Sequence, residues 1–166
     1  KAKDPTKGYI PDIIPFMKAL LPPARKHGTK ILCNSGGANP VAAGEVVVKI
    51  AKELGLEGLK VGVVTGDDIL PRLKEFKEMG LKFENLDTGE KDIDQVFDKI
   101  VAANAYVGAD SIIDALAAGA DVVITGRASD NALYVGPLMH EFGWKFEDPY
   151  WDKIGSAVTN GHIIEF

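Results

Sequence analysis

Arg127, Asp130, Asn34, Asn104 and Tyr106 are the side chains of this sequence best suited to hold and transform a small polar molecule. They lie in short polar, glycine-rich clusters: Asn34-Ser35-Gly36-Gly37-Ala38-Asn39-Pro40, Asn104-Ala105-Tyr106-Val107-Gly108 and Gly126-Arg127-Ala128-Ser129-Asp130-Asn131, with Gly66-Asp67-Asp68 as a fourth. A guanidinium grips carboxylate or phosphate through paired hydrogen bonds, so Arg127 reads as the anion ligand. Asp130 reads as the group that orients it or moves a proton, although Ser129, Asp130 and Asn131 would each also cap a helix. Asn34 and Asn104 offer hydrogen bonds to a substrate. Gly36 and Gly37 let backbone N–H groups approach it, where they would stabilise charge developing on a carbonyl oxygen. Asn39 joins the substrate-binding set, with N-capping as its other role. Tyr106 shares one side of an extended segment with Asn104, as a proton donor or as aromatic packing.

Asp68 and His162 complete the acid–base candidates. Asp67 and Asp68 are adjacent, so their side chains diverge and one is expected to cap a helix. Two carboxylates suit a divalent cation, but no His or Glu stands at ligand spacing, and no metal ligands are assigned. His140 lacks the second His of a metalloprotease helix and reads as structural or as a cation at a helix end; His27 reads as a helix-end residue. Cys33, the single cysteine, reads as strand core rather than nucleophile. The loops match neither a Walker sequence nor a G-x-G-x-x-G fingerprint, and no cofactor is identified.

Elements must deliver these clusters to one place. Apolar runs at Lys30–Asn34, Leu59–Thr65 and Asp121–Thr125 read as strands, and weaker ones are expected at Lys82–Leu86 and Ile100–Ala103. Helical spacing marks Ile10–His27, with Ile13, Ile14, Met17, Leu20 and Leu21 apolar and a break or kink at Pro22-Pro23. Helices also follow at Val41–Leu54, Ile69–Met79, Ala109–Ala118, Ala132–Phe142 and Tyr150–Val158, with a helical turn at Asp92–Asp98. Residues 1–8 read as polar and turn-rich. Strands alternating with helices predict a three-layer α/β fold, a mostly parallel sheet with helices on both faces, possible as an incomplete unit. Segments leaving the carboxyl ends of parallel strands emerge at one edge, where ligands bind. Four polar clusters following strands are thus expected to converge.

The 166 residues fit a single domain (1–166). Eighteen glycines exceed the usual share of about 7%, which suits tight turns and close approach to ligand. A net charge of −5 disfavours nucleic acid, which needs a basic stripe. No run of about 18 apolar residues exists to span a membrane. The lone cysteine and the lack of a signal-peptide pattern are compatible with a cytoplasmic protein.

Asn104-Ala105-Tyr106-Val107-Gly108-Ala109 followed by Ala117-Ala118-Gly119-Ala120-Asp121-Val122-Val123-Ile124-Thr125-Gly126-Arg127 resembles the acyclic terpene utilisation (AtuA-like) family. So do the Asn34–Pro40 loop, Gly66-Asp67-Asp68-Ile69-Leu70-Pro71-Arg72-Leu73 and Gly136-Pro137-Leu138-Met139-His140-Glu141-Phe142-Gly143-Trp144. The motifs run in the family's order over nearly the whole chain. The resemblance implies a bacterial catabolic protein that degrades acyclic terpenes or related branched acids through acyl-CoA intermediates. It also implies family segments before Lys1 and beyond Phe166, where a cysteine would be typical, so the chain reads as a middle fragment of a longer family domain.

The expectation is an enzyme acting on a small carboxylate or acyl-CoA by hydratase, lyase or acyl-transfer chemistry. Arg127 would hold the anion, and Asp130, Asp68 or His162 would handle the proton. The alternative is a non-catalytic binding or scaffolding subunit, as a homo-oligomer or in a complex, because apolar Ile163, Ile164 and Phe166 need burial. A sugar- or nucleotide-binding domain has only the generic α/β layout behind it.

Overall fold

Val-rich runs form the sheet in a computed structural model that describes residues 4–91 and 93–165. The strands are β1 (Ile31–Cys33), β2 (Val61–Val64) and β3 (Val122–Thr125). All pairing is parallel and the order is β1-β3-β2, so β3 is central. Ile31 and Val61 both stand level with Val122, which puts the three carboxyl ends at one edge.

Alternation along β3 separates two cores. Val122 and Ile124 join a cluster with α1 (Ile13–His27) and α2 (Pro40–Glu53) that includes Ile13, Met17, Leu21, Val47 and Ile50. Val123 turns the other way, to Ile112 and Leu116 of α4 (Asp110–Ala117) and Ala132 of α5 (Ala132–Phe142). Every residue of β3 is buried, and each such Val or Ile contributes about 1.5–3 kcal/mol relative to exposure. A third cluster joins α5 to α6 (Trp151–Glu165) through Val135, Met139, Ile154 and Ala157. This is the expected sheet with helices on both faces. Gly44 lets α2 lie against β2, because a Cβ there would meet Val63 Cγ2 at 2.5 Å.

Asp121 binds the amino ends of the strands together. Its carboxylate accepts from Lys30 Nζ at 3.0 Å and from the Lys60 N–H at 3.0 Å, and Arg25 stands 3.8 Å away. Partial burial opposes ionisation of Asp121, but the Lys60 N–H and the Lys30 ammonium outweigh it and hold the carboxyl below the usual value.

Several expectations need correction. The α1 helix runs unbroken through Pro22 and Pro23. The carbonyls of Lys18 and Ala19, which lose their helical donors, sit on an exposed face beside the exposed prolines, so water can satisfy them. Leu20 lies on that face too, 48% exposed. Residues 69–79 form a 3₁₀ turn at Leu70–Arg72, which contains Pro71, and then α3 (Leu73–Glu78). No strand forms at Lys82–Leu86 or Ile100–Ala103; Leu86 is 97% and Val101 90% exposed. Short β-prone runs without a neighbour to pair with remain irregular. The helix expected to end at Val158 runs on to Glu165, because Gly161 fits against Tyr134 and Asn131 of the preceding element. Cys33 is half-buried. The first three residues, Asp92 and Phe166, which entered the readings above, lie outside the described residues.

Candidate functional site

The four polar clusters do meet at the carboxyl edge. Thr125, fully buried at the end of β3, accepts the Gly36 N–H through its carbonyl at 3.1 Å. The 104–108 segment joins the loop after β3 through Val107 N–H to Arg127 O at 3.0 Å and Ser129 N–H to Val107 O at 3.0 Å. Ala105 N–H donates to Asp67 O at 2.8 Å, fixing that segment to the loop after β2.

Asp67 sits at the centre of this junction, 3% exposed. Its Oδ2 accepts from Asn104 Nδ2 at 3.1 Å and from the Arg127 N–H at 3.0 Å. Gly126 is required beside it, since a Cβ there would stand 2.6 Å from Asp67 Oδ1. The sequence singled out Asp68 of the adjacent pair for proton transfer, and only tertiary packing shows that Asp67 is the buried member. Asp67 is the site residue that sequence reasoning missed; its place two residues past a Val-rich strand was the one available signal.

Arg127 reaches outward from the loop that Asp67 holds. Its Nη2 donates to the Tyr106 hydroxyl, and its guanidinium carbon lies 4.7 Å from the Tyr106 ring centroid, a cation–π arrangement. Both side chains are exposed. Among the described residues no carboxylate pairs with Arg127. Asp130, expected to orient it, is exposed and makes no side-chain hydrogen bond there, because Tyr106 occupies that role. Nor does α5 begin with a side-chain cap: Asn131 occupies the position without one, its Nδ2 lying 3.4 Å from His162 Nε2 instead. His162 therefore comes to the start of α5 from the end of α6.

The remaining candidates divide between ligand and fold. Asn34 is exposed at the end of β1. Asp68 is exposed and its Oδ1 accepts the Leu70 N–H at 3.2 Å, a local turn contact rather than the expected helix cap, since Ile69 occupies the N-cap of the 3₁₀ turn. Asn39 serves the fold: its Nδ2 donates to Pro5 O at 2.7 Å and Lys7 O at 2.8 Å, and its Oδ1 caps α2 at the Ala42 N–H. The backbone donors of Gly36 and Gly37 are likewise taken, by Thr125 O and by Asn34 O at 3.1 Å. They do not form the charge-stabilising pair expected from sequence, because the loop closes on itself and on β3. Gly36 is buried there, with no room for a Cβ between Thr125 O and Pro40.

Among the described residues no group of three His, Cys, Asp or Glu could hold a metal, and no helix is long and apolar enough to cross a membrane. A hollow of about 450 Å³ lies in the 81–100 segment, lined by residues including Phe83, Asn85, Ile93 and Ile100. None of the candidate site residues lines it.

Comparison with known proteins gives one match: the family model described as "Acyclic terpene utilisation family protein AtuA" covers residues 1–166, the whole chain. No curated protein and no solved structure matches.

Proposed function

This chain belongs to the acyclic terpene utilisation (AtuA) family, and on that premise we propose that its carboxyl edge binds a small carboxylate or the corresponding acyl-CoA. The observation that carries this reading is Arg127: a guanidinium at the junction of converging loops, exposed, stacked on Tyr106 and paired with no carboxylate among the described residues. A cation held in that way favours an incoming anion. Asn34 and Asn104, exposed in the loops at the same edge, are the hydrogen-bonding groups.

The protein acts as a cytoplasmic enzyme in the breakdown of acyclic terpenes or related branched acids, by hydratase, lyase or acyl-transfer chemistry. Asp130 and Asp68 are exposed carboxyls in the same loops and serve as proton carriers, with His162 reaching the edge through Asn131. Calorimetric titration of the wild type and Arg127→Ala with butyrate and butyryl-CoA tests the reading. The variant should bind at least about tenfold more weakly, the size of a lost charge-assisted hydrogen bond. Unchanged affinity would remove Arg127 from the site and the reading with it.

A second reading, a binding or scaffolding subunit, is favoured by Ile163 and Ile164, which are 71% and 68% exposed near the end of α6. A stoichiometric partner or self-association that shields them, with no stabilisation by either ligand, would support it.

A further inference from the structure

We infer that the hollow in the 81–100 segment is a second binding site, and that it takes an uncharged molecule with a largely hydrocarbon body. The inference stands apart from the reading of Arg127.

The segment has no core of its own. No described residue from Lys74 to Ala103 is buried, and none belongs to the three apolar clusters that hold the sheet and helices together. Its apolar side chains gather instead around an opening of about 450 Å³, to which Phe83, Ile93, Val96 and Ile100 contribute. Phe83, Ile93 and Ile100 are half-buried there and Val96 is exposed, so this wall is apolar but wet. Openings of about 300–1,000 Å³ with mainly apolar walls are typical of small-molecule sites. A hydrocarbon body entering this one would cover carbon that the fold leaves in water.

The rim is held by bonds that need no ligand. On one side the turn at 85–90 closes on itself. Asn85 N–H donates to Glu90 O at 2.8 Å, Gly89 N–H to Asn85 O at 2.8 Å, and Asn85 Oδ1 accepts the Asp87 N–H at 2.9 Å. On the other side stand two 3₁₀ turns, Ile93–Gln95 and Phe97–Lys99. Lys77 of α3 ties both down, donating to Asp94 and lying 5.7 Å from the Phe97 ring centroid. Walls fixed in this way lose little freedom when a ligand binds.

Charge then selects among apolar ligands. Glu84 and Glu90 are the only charged residues among the described ones that line the opening, and no Lys or Arg joins them. An acid would set its carboxylate beside two groups of the same sign, with no cation to meet it. The opening therefore favours a neutral ligand, whereas the edge at Arg127 favours an anion.

The test uses N-phenyl-1-naphthylamine, an uncharged probe whose fluorescence rises in apolar surroundings, with 1-octanol and octanoate as matched competitors. The wild type should bind the probe saturably, and 1-octanol should displace it. Octanoate should need a concentration at least about tenfold higher, the scale of a like-charge contact near a protein surface. Val96→Trp, which fills the opening with an indole, should abolish probe binding while the circular dichroism spectrum stays unchanged. Leu86→Ser, which removes an exposed apolar side chain outside the lining, and Arg127→Ala should both bind the probe as the wild type does. The wild-type competition needs no variant to fold. No saturable binding by the wild type, equal displacement by octanoate, or loss of binding in Leu86→Ser or Arg127→Ala would overturn the inference, as would a folded Val96→Trp that still binds. Butyrate titration of the same protein reads the Arg127 edge separately, so either reading can fail alone.

Discussion

One aspartate organises each end of the sheet, and the two are satisfied by opposite means. At the amino edge Asp121 is met by Lys30, by the Lys60 N–H and by Arg25, so acid and base neutralise each other. At the carboxyl edge Asp67 takes uncharged donors, the Asn104 amide and the Arg127 N–H. The Arg127 side chain turns away to Tyr106 with its charge uncompensated by any carboxylate among the described residues. Two similar junctions thus leave different remainders. The amino edge is electrostatically closed, and the carboxyl edge keeps a cation facing outward.

The sharpest way to break this comparison is to spoil the carboxyl junction sterically. Gly36→Ala would drive a Cβ into Thr125 O and to within 2.7 Å of Pro40 Cα; both are backbone atoms with little room to move. A loss of about 3 kcal/mol is expected, read as a lower midpoint in urea. Next comes Asp67→Ala, which leaves two donors in a buried setting without their acceptor and should cost about 2–3 kcal/mol. Asp121→Asn should cost no more than about 1 kcal/mol, because Lys30 and Arg25 are 40% and 45% exposed and solvent screens them. A larger loss from Asp121→Asn than from Asp67→Ala would invert the ranking of the two edges.

The pH dependence sharpens the contrast. The Asp121 carboxyl is held below its ordinary value, so its contribution is fully present above the ordinary carboxylate range and is lost as pH falls through the lowered value. The stability difference between wild type and Asp121→Asn, followed by denaturation from neutral pH downward, should therefore shrink in acid. The smallest stability effect is expected from Arg127→Ala, within about 0.5 kcal/mol because the side chain is exposed. Its effect should appear in ligand binding instead.

Much of this arrangement was legible in the sequence. The Val-rich runs ending at Thr65 and Thr125, each followed by a glycine and polar residues, specify strand ends that deliver loops to a common edge. The roles inside the loops were less legible. Asn39 and the Gly36 donor looked available because their partners, Pro5, Lys7 and Thr125, are distant in sequence. Asp67 and Asp68 differ only in which is buried, and burial is a property of the assembled fold. The runs at 82–86 and 100–103 misled because β-propensity becomes a strand only beside a neighbour. The sequence places the end of the last helix at Val158, yet it continues through Gly161, which is needed for close packing on Tyr134.

The bonds from Gly36 to Thr125, Ala105 to Asp67, Val107 to Arg127 and Ser129 to Val107 run between backbone atoms of segments far apart in the chain. They remove most of the freedom these loops would otherwise lose when a ligand arrives. Binding to a floor already set in this way carries little ordering entropy. Association at this edge should follow a single exponential phase whose rate rises linearly with ligand concentration, and differences in affinity among ligands should reside in how fast they leave.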